Sequence, residues 1–200
     1  MTQRLLLLLT FLVGPLSAGS ISLTGNLDPQ DPNSVFLYTF YLGADSDLQF
    51  QSYGYGGGIN LVGQVIASGG FDPYLTIFQG SGASATFYAS NDDGLCPPGN
   101  PDPGCADPTL NLTGVHAGAY TLALTVFGNI SFAENLGSGS LGDGFIGLGS
   151  YFDEASFTDR TANFALDVSS STAFAPEPGA FLLTAAGAAL ILIRRRSKCS

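Results

Sequence analysis

The sequence predicts an all-β fold, a single β-sandwich carried between two apolar ends. Three observations lead there. The 200 residues include 27 glycines, and the aromatic set is 15 Phe and 8 Tyr with no Trp. Apolar residues alternate with polar ones over short runs, and no stretch between Ser20 and Ser170 repeats at helical period. Such a chain favours short strands joined by tight turns, and eight or more strands at this spacing read as a sandwich.

Residues 1–18 read as a secretory signal peptide. Arg4 precedes the apolar stretch 5–13, and small residues at Ser17, Ala18 and Gly19 offer a cleavage site. The stretch falls short of the roughly 20 residues that a spanning helix needs, which disfavours the alternative of an uncleaved anchor.

The ectodomain, 19–168, then unrolls as strands. Residues 20–23 alternate briefly, whereas 35–42 are apolar on both faces, as in a strand buried between two layers. Leu48 and Phe50 alternate with Asp47, Gln49 and Gln51, giving one wet face. The Tyr53-Gly54-Tyr55-Gly56-Gly57-Gly58 run predicts a flexible loop, its tyrosines either exposed for stacking on sugar rings or filling a sheet edge. A further strand is expected within 59–67.

Residues 74–78 and 85–89 form a hairpin through Gln79-Gly80-Ser81-Gly82, where glycine supplies the positive φ of a tight turn. Tyr120, Leu122, Leu124 and Val126 mark one half-buried strand, and Phe164, Leu166 and Val168 another. Residues 137–149 read as a long glycine-rich surface loop and 169–175 as a linker. In the last segment, 176–200, Pro176-Glu177-Pro178 opens onto the apolar run 179–193, which stops at Arg194, Arg195 and Arg196. As a helix this run spans about 22 Å, and the arginines with Lys198 hold its end at the cytoplasmic headgroups.

Charge narrows the partners. Arg160 is the one Lys or Arg between Arg4 and Arg194, while fifteen of the sixteen acids lie between Asp28 and Asp167. Nucleic-acid binding requires clustered cations and is excluded. An acidic exported domain favours solubility, with calcium as its counter-ion.

Cys96 and Cys105 enclose a Pro/Gly-rich loop and read as a disulfide in an oxidising compartment; two thiolates alone make an incomplete zinc shell. Cys199 lies beyond the membrane segment, free or lipidated. Asn91, Asp92 and Asp93 cluster oxygen ligands at a strand end, with Asp72 and Asp107 brought alongside by the hairpin and the 96–105 loop. These hard ligands suit calcium, and the alternative is a plain Asn-Asp-Asp-Gly turn.

No catalytic constellation stands out. His116 is the one histidine, no Gly-x-Ser-x-Gly occurs, and the chain reads as a non-enzyme. The alternative is a secreted polysaccharide hydrolase using two of the acids. Thr121 with Thr125 is too small an array for ice binding, and the triplets beginning at Asn111 and Asn129 fit glycosylation acceptors.

The Pro-Glu-Pro triplet, short apolar helix and arginine cluster resemble the PEP-CTERM sorting signal of Gram-negative bacteria. The resemblance implies an exosortase that acts at Pro176-Glu177-Pro178 and releases or transfers the ectodomain, usually in cells that make extracellular polysaccharide. Similar tails occur on some ice-binding proteins, which concerns the tail alone. The segments Gly70 to Phe78, Ala89 to Gly94 and His116 to Leu122 resemble bacterial pre-peptidase C-terminal (PPC-like) domains, calcium-tolerant or calcium-binding β-sandwiches. Together these imply a jelly-roll or PPC-like ectodomain processed by signal peptidase and exosortase. The chain is first anchored in the inner membrane and then placed at the cell envelope, surface or matrix, beside polysaccharide.

Overall fold

The computed structural model describes residues 18–31, 33–100, 106–148 and 160–176. Among them the chain is all-β, with two four-stranded antiparallel sheets and a small hairpin. The first sheet contains β1 (Gly19–Asn26), β3 (Ser46–Ser52), β8 (Thr109–Val115) and β10 (Asn163–Ser170) in the order β1-β10-β3-β8. The second contains β2 (Phe36–Leu42), β6 (Pro73–Gln79), β7 (Thr86–Asn91) and β9 (Gly118–Val126) in the order β2-β9-β6-β7. β4 (Gly58–Ile59) and β5 (Val65–Ile66) pair as a separate hairpin.

The two sheets face each other in a sandwich. Alternation directs Leu48, Phe50, Phe164, Leu166 and Val168 from the first sheet against Phe40, Leu75, Ile77, Tyr120, Leu122 and Leu124 from the second. Fully burying such a side chain contributes about 1.5–3 kcal/mol relative to exposure. Phe36 meets Phe164 at 4.6 Å between ring centroids, and Phe40 meets Phe50 at 6.1 Å, tying the layers together.

Register sets what lies at each end. Gly19 pairs with Ser170, Leu42 with Gly118, and Leu42 also bridges Phe174. Asn26 pairs with Asn163, Pro73 with Val126 and Leu75 with Asn91 at the opposite pole.

Several expectations need correction. β2 is not buried between layers: it is the edge of the second sheet, and Leu37 on its outer face is 48% exposed. β9 and β10, expected half-buried, are buried on both faces. The outer face of β9 is covered because residues 130–148 fold back over it. There Phe78, Ala85, Ala123 and Ala133 pack with Val35, Phe87, Leu141 and Phe145. Within that segment the expected open loop 137–149 contains a 3₁₀ turn, Leu141–Asp143, and sends Leu148 into the main core.

The outer face of β10 is covered at Ala165 and Asp167, where the Leu61 amide in the turn of the β4–β5 hairpin donates to Asp167; that hairpin replaces the single strand expected in 59–67. Residues 169–175 do not stand away as a linker. β10 runs through Ser169 and Ser170, and the Ala175 amide donates to the Tyr41 carbonyl at 2.8 Å. The signal segment up to residue 17, Glu177, Pro178, the apolar run 179–193, Arg194 to Arg196 and Cys199 lie outside the described residues. No helix among the described residues is long and apolar enough to cross a membrane.

Candidate metal centre

The pole opposite Gly19 and Phe174 gathers acids. Asp72 precedes the first residue of β6, Pro73, a position where a strand tolerates a missing N–H. Its carbonyl accepts from the Phe127 amide at 2.8 Å, fixing the backbone there. Asp92 and Asp93 follow the last residue of β7, Asn91. Because β6 and β7 are hairpin partners, the start of one strand and the end of the other meet, and each of the three acids offers an oxygen within 4.8 Å of the others.

These carboxylates are poorly satisfied. Asp72 Oδ1 and Asp92 Oδ1 are buried without a hydrogen-bond donor. Burial, then repulsion from Asp92 and Asp93, raises the Asp72 carboxyl to about 7, with Arg160 opposing the rise. Burial and Asp93 raise Asp92 to about 6. Calcium binds oxygens at about 2.3–2.6 Å, so its ligands lie up to about 5 Å apart. The three acids fit that span, and a cation would supply the countercharge their orphan oxygens lack.

Asp107 is not one of the three clustered acids, and the Asn91 amide nitrogen is engaged elsewhere. The Asn91 side chain donates to the Asp93 carbonyl at 2.6 Å and the Thr109 carbonyl at 2.7 Å, tying the turn to β8. Asp107 is fully buried and already satisfied. Its Oδ1 accepts from Ser52 Oγ at 2.8 Å and from the Tyr55 amide at 3.1 Å, and its Oδ2 accepts from the Gly56 amide at 2.7 Å.

The 53–58 loop is therefore pinned, not flexible. Tyr53 is buried, and the Tyr55 ring lies under Arg160 at 3.4 Å. Tyr53 therefore offers no open face for sugar stacking, and Arg160 takes one face of the Tyr55 ring. Arg160 also donates to the carbonyls of Gly70 and Tyr55, at 2.9 and 3.2 Å.

Sequence reasoning missed Glu134. It lies on α1 (Phe132–Asn135), a single turn capped by Ser131, whose hydroxyl accepts from the Glu134 amide at 3.1 Å. Its Oε1 accepts from the Tyr74 hydroxyl at 2.5 Å and from Ser90 Oγ, while Oε2 is buried without a donor. Burial and then Glu134 push the Tyr74 hydroxyl up to about 12. The Ser131-x-x-Glu134 spacing is the helix-start signal that marks this turn.

His116 lies at the other pole, exposed, 3.0 Å from Asp45. The Ala117 amide and then His116 hold Asp45 below the usual carboxylate range. Asn129 is fully buried, donates to the Asn33 carbonyl and accepts from the Gly147 amide, so it is no glycosylation acceptor; Asn111 is exposed on β8. Cys105 lies outside the described residues.

The chain matches no family model. No curated protein matches it either.

Proposed function

We propose that this is an exported, exosortase-processed protein of the cell surface or extracellular matrix, with a non-catalytic structural or binding role and a calcium-stabilised sandwich. The observation that carries this reading is the separation of the two poles. Gly19 and Phe174, where the signal and sorting segments attach, are neighbours: a Cβ on Gly19 would lie 2.8 Å from the Phe174 ring. Asp72, Asp92 and Asp93 lie at the far end. A sandwich tethered through the segment that follows Phe174 presents that far pole, and the acids on it, away from the membrane.

The PPC-like reading is supported by Asp72-Pro73 opening β6 and Asn91-Asp92-Asp93 closing its returning partner β7. A disulfide from Cys96 to Cys105 is supported by Cys96 carrying no free thiol. It would close the loop beside Asp107 and restrict the unfolded chain. The three acids offer oxygens within 4.8 Å of one another, a spacing that suits a shared cation. Retaining glycosidases hold their two carboxyl groups about 5–5.5 Å apart and inverting ones about 6.5–9.5 Å.

Cell fractionation tests the proposal. The protein is expected in the envelope or the medium, and a stable cytoplasmic protein overturns the reading.

A further inference from the structure

The outer face of the first sheet carries two cross-strand rows of polar side chains. Ser22, Asp167, Gln51 and Thr109 form one row, and Ser20, Ser169, Gln49 and Asn111 form the next. The first row is satisfied internally. Ser22 Oγ donates to Asp167 Oδ1, the Leu61 amide donates to Asp167 Oδ2 at 2.7 Å, and Thr109 Oγ1 donates to Gln51 Oε1 at 2.8 Å. The β4–β5 hairpin lies beside it, leaving Asp167 2% exposed.

The second row has no such partners. Among the described residues, none of its four side chains makes a hydrogen bond within the chain. All four line one groove of about 630 Å³, in which Leu61, 56% exposed, supplies an apolar wall.

We infer that this groove binds a neutral polysaccharide laid across the strands. Strands lie about 4.8 Å apart, so the row offers one polar group per step over about 14 Å, each step close to the length of one hexose unit. Amides at Gln49 and Asn111 each donate and accept, and serine hydroxyls do both, which matches a chain of hydroxyls. Leu61 receives the C–H faces of the rings. Among the described residues no Lys or Arg lines the groove and Asp47 is its one charged side chain; the α-amino group freed at Gly19 by signal cleavage offsets that single carboxylate, so an anionic glycan gains no net charge pairing.

The inference deepens the surface-protein reading and rests on it for the setting in which polysaccharide is met. Affinity electrophoresis of the full chain purified in detergent tests the groove directly. The gels contain hydroxyethyl cellulose, mannan, dextran or galactan as neutral probes, and alginate as the polyuronate. Retardation is expected by at least one neutral polysaccharide, insensitive to added salt, and absent with alginate. The Gln49→Ala, Asn111→Ala double variant is expected to lose about tenfold in affinity, the equivalent of about 1.4 kcal/mol, with an unchanged melting temperature because both residues are exposed. Retardation by none of the four, salt-sensitive retardation by alginate alone, or a double variant that binds as well as the parent overturns the inference. Correct sorting without glycan binding removes the groove and keeps the surface reading; binding by a chain retained in the cytoplasm does the reverse.

Discussion

Asp72 and Asp92 bring carboxylate oxygens within 4.8 Å of each other across the open end of the β6–β7 hairpin, and each keeps one buried oxygen without a donor. The pair is disfavoured in its charged state. In chelator, both groups bind protons more tightly in the folded chain than their ordinary value of 3.8, with Asp72 at about 7 and Asp92 at about 6. A group raised on folding stabilises most below its unfolded pKa, and that contribution is lost as pH rises through the folded value. The metal-free protein is therefore expected to lose stability between about pH 4 and pH 7 on account of these two groups, and to level off above. Thermal melts across that range in chelator check the sign, and a rise through the same window contradicts it.

Calcium is expected to reverse the loss above pH 7. At about one hundred times its Kd, a single bound ion stabilises by about 2.7 kcal/mol, or about 5–10 °C in a chain of this size. In Asp92→Asn the calcium increment disappears, while the melting temperature in chelator at pH 8 rises because a neutral amide removes the repulsion. Differential scanning calorimetry with and without calcium reads both effects.

Asp107 behaves differently although it lies at the same pole. Asp107→Asn sets an amide nitrogen against backbone or hydroxyl donors and is expected to cost about 2–3 kcal/mol. The calcium increment survives, because Asp107 already spends its oxygens on Ser52, Tyr55 and Gly56. Urea unfolding with and without calcium separates this fold-holding role from ligation.

Asp167 anchors the β4–β5 hairpin through the Leu61 amide; burial and then Asp167 hold the Tyr53 phenol well above its usual pKa. Asp167→Asn is expected to cost about 1–3 kcal/mol. Faster hydrogen exchange at the Leu61 amide is the local signature, while β6 and β9 amides keep their protection relative to the global value.

Alternation in the sequence reveals β3, the β6–β7 hairpin and the inner faces of β9 and β10, because period-two patterning is what a half-buried strand imposes. It does not reveal what covers an outer face. The β4–β5 hairpin over β10 and residues 130–148 over β9 come from distant parts of the chain, so both strands look half-wet in sequence. β8 carries the same signal, with Leu110 and Leu112 alternating with Thr109, Asn111 and Thr113, under a triplet that reads first as a glycosylation acceptor. At the site, the Asp-Pro strand start and the Asn-Asp-Asp strand end place Asp72, Asp92 and Asp93 together. Asp107 has the same chemistry as a ligand, and its satisfaction by three donors depends on the path of the 53–58 loop. Glu134 is hidden by the brevity of α1 within a glycine-rich stretch.

The most direct test of the central claim is the intact mass of the native protein from an exosortase-positive strain and from a strain lacking that enzyme. The account predicts a chain that begins at Gly19 in both and loses its tail near Pro178 only where the exosortase is present. A tail intact in both strains would mean an ordinary membrane-anchored protein and would contradict the sorting claim.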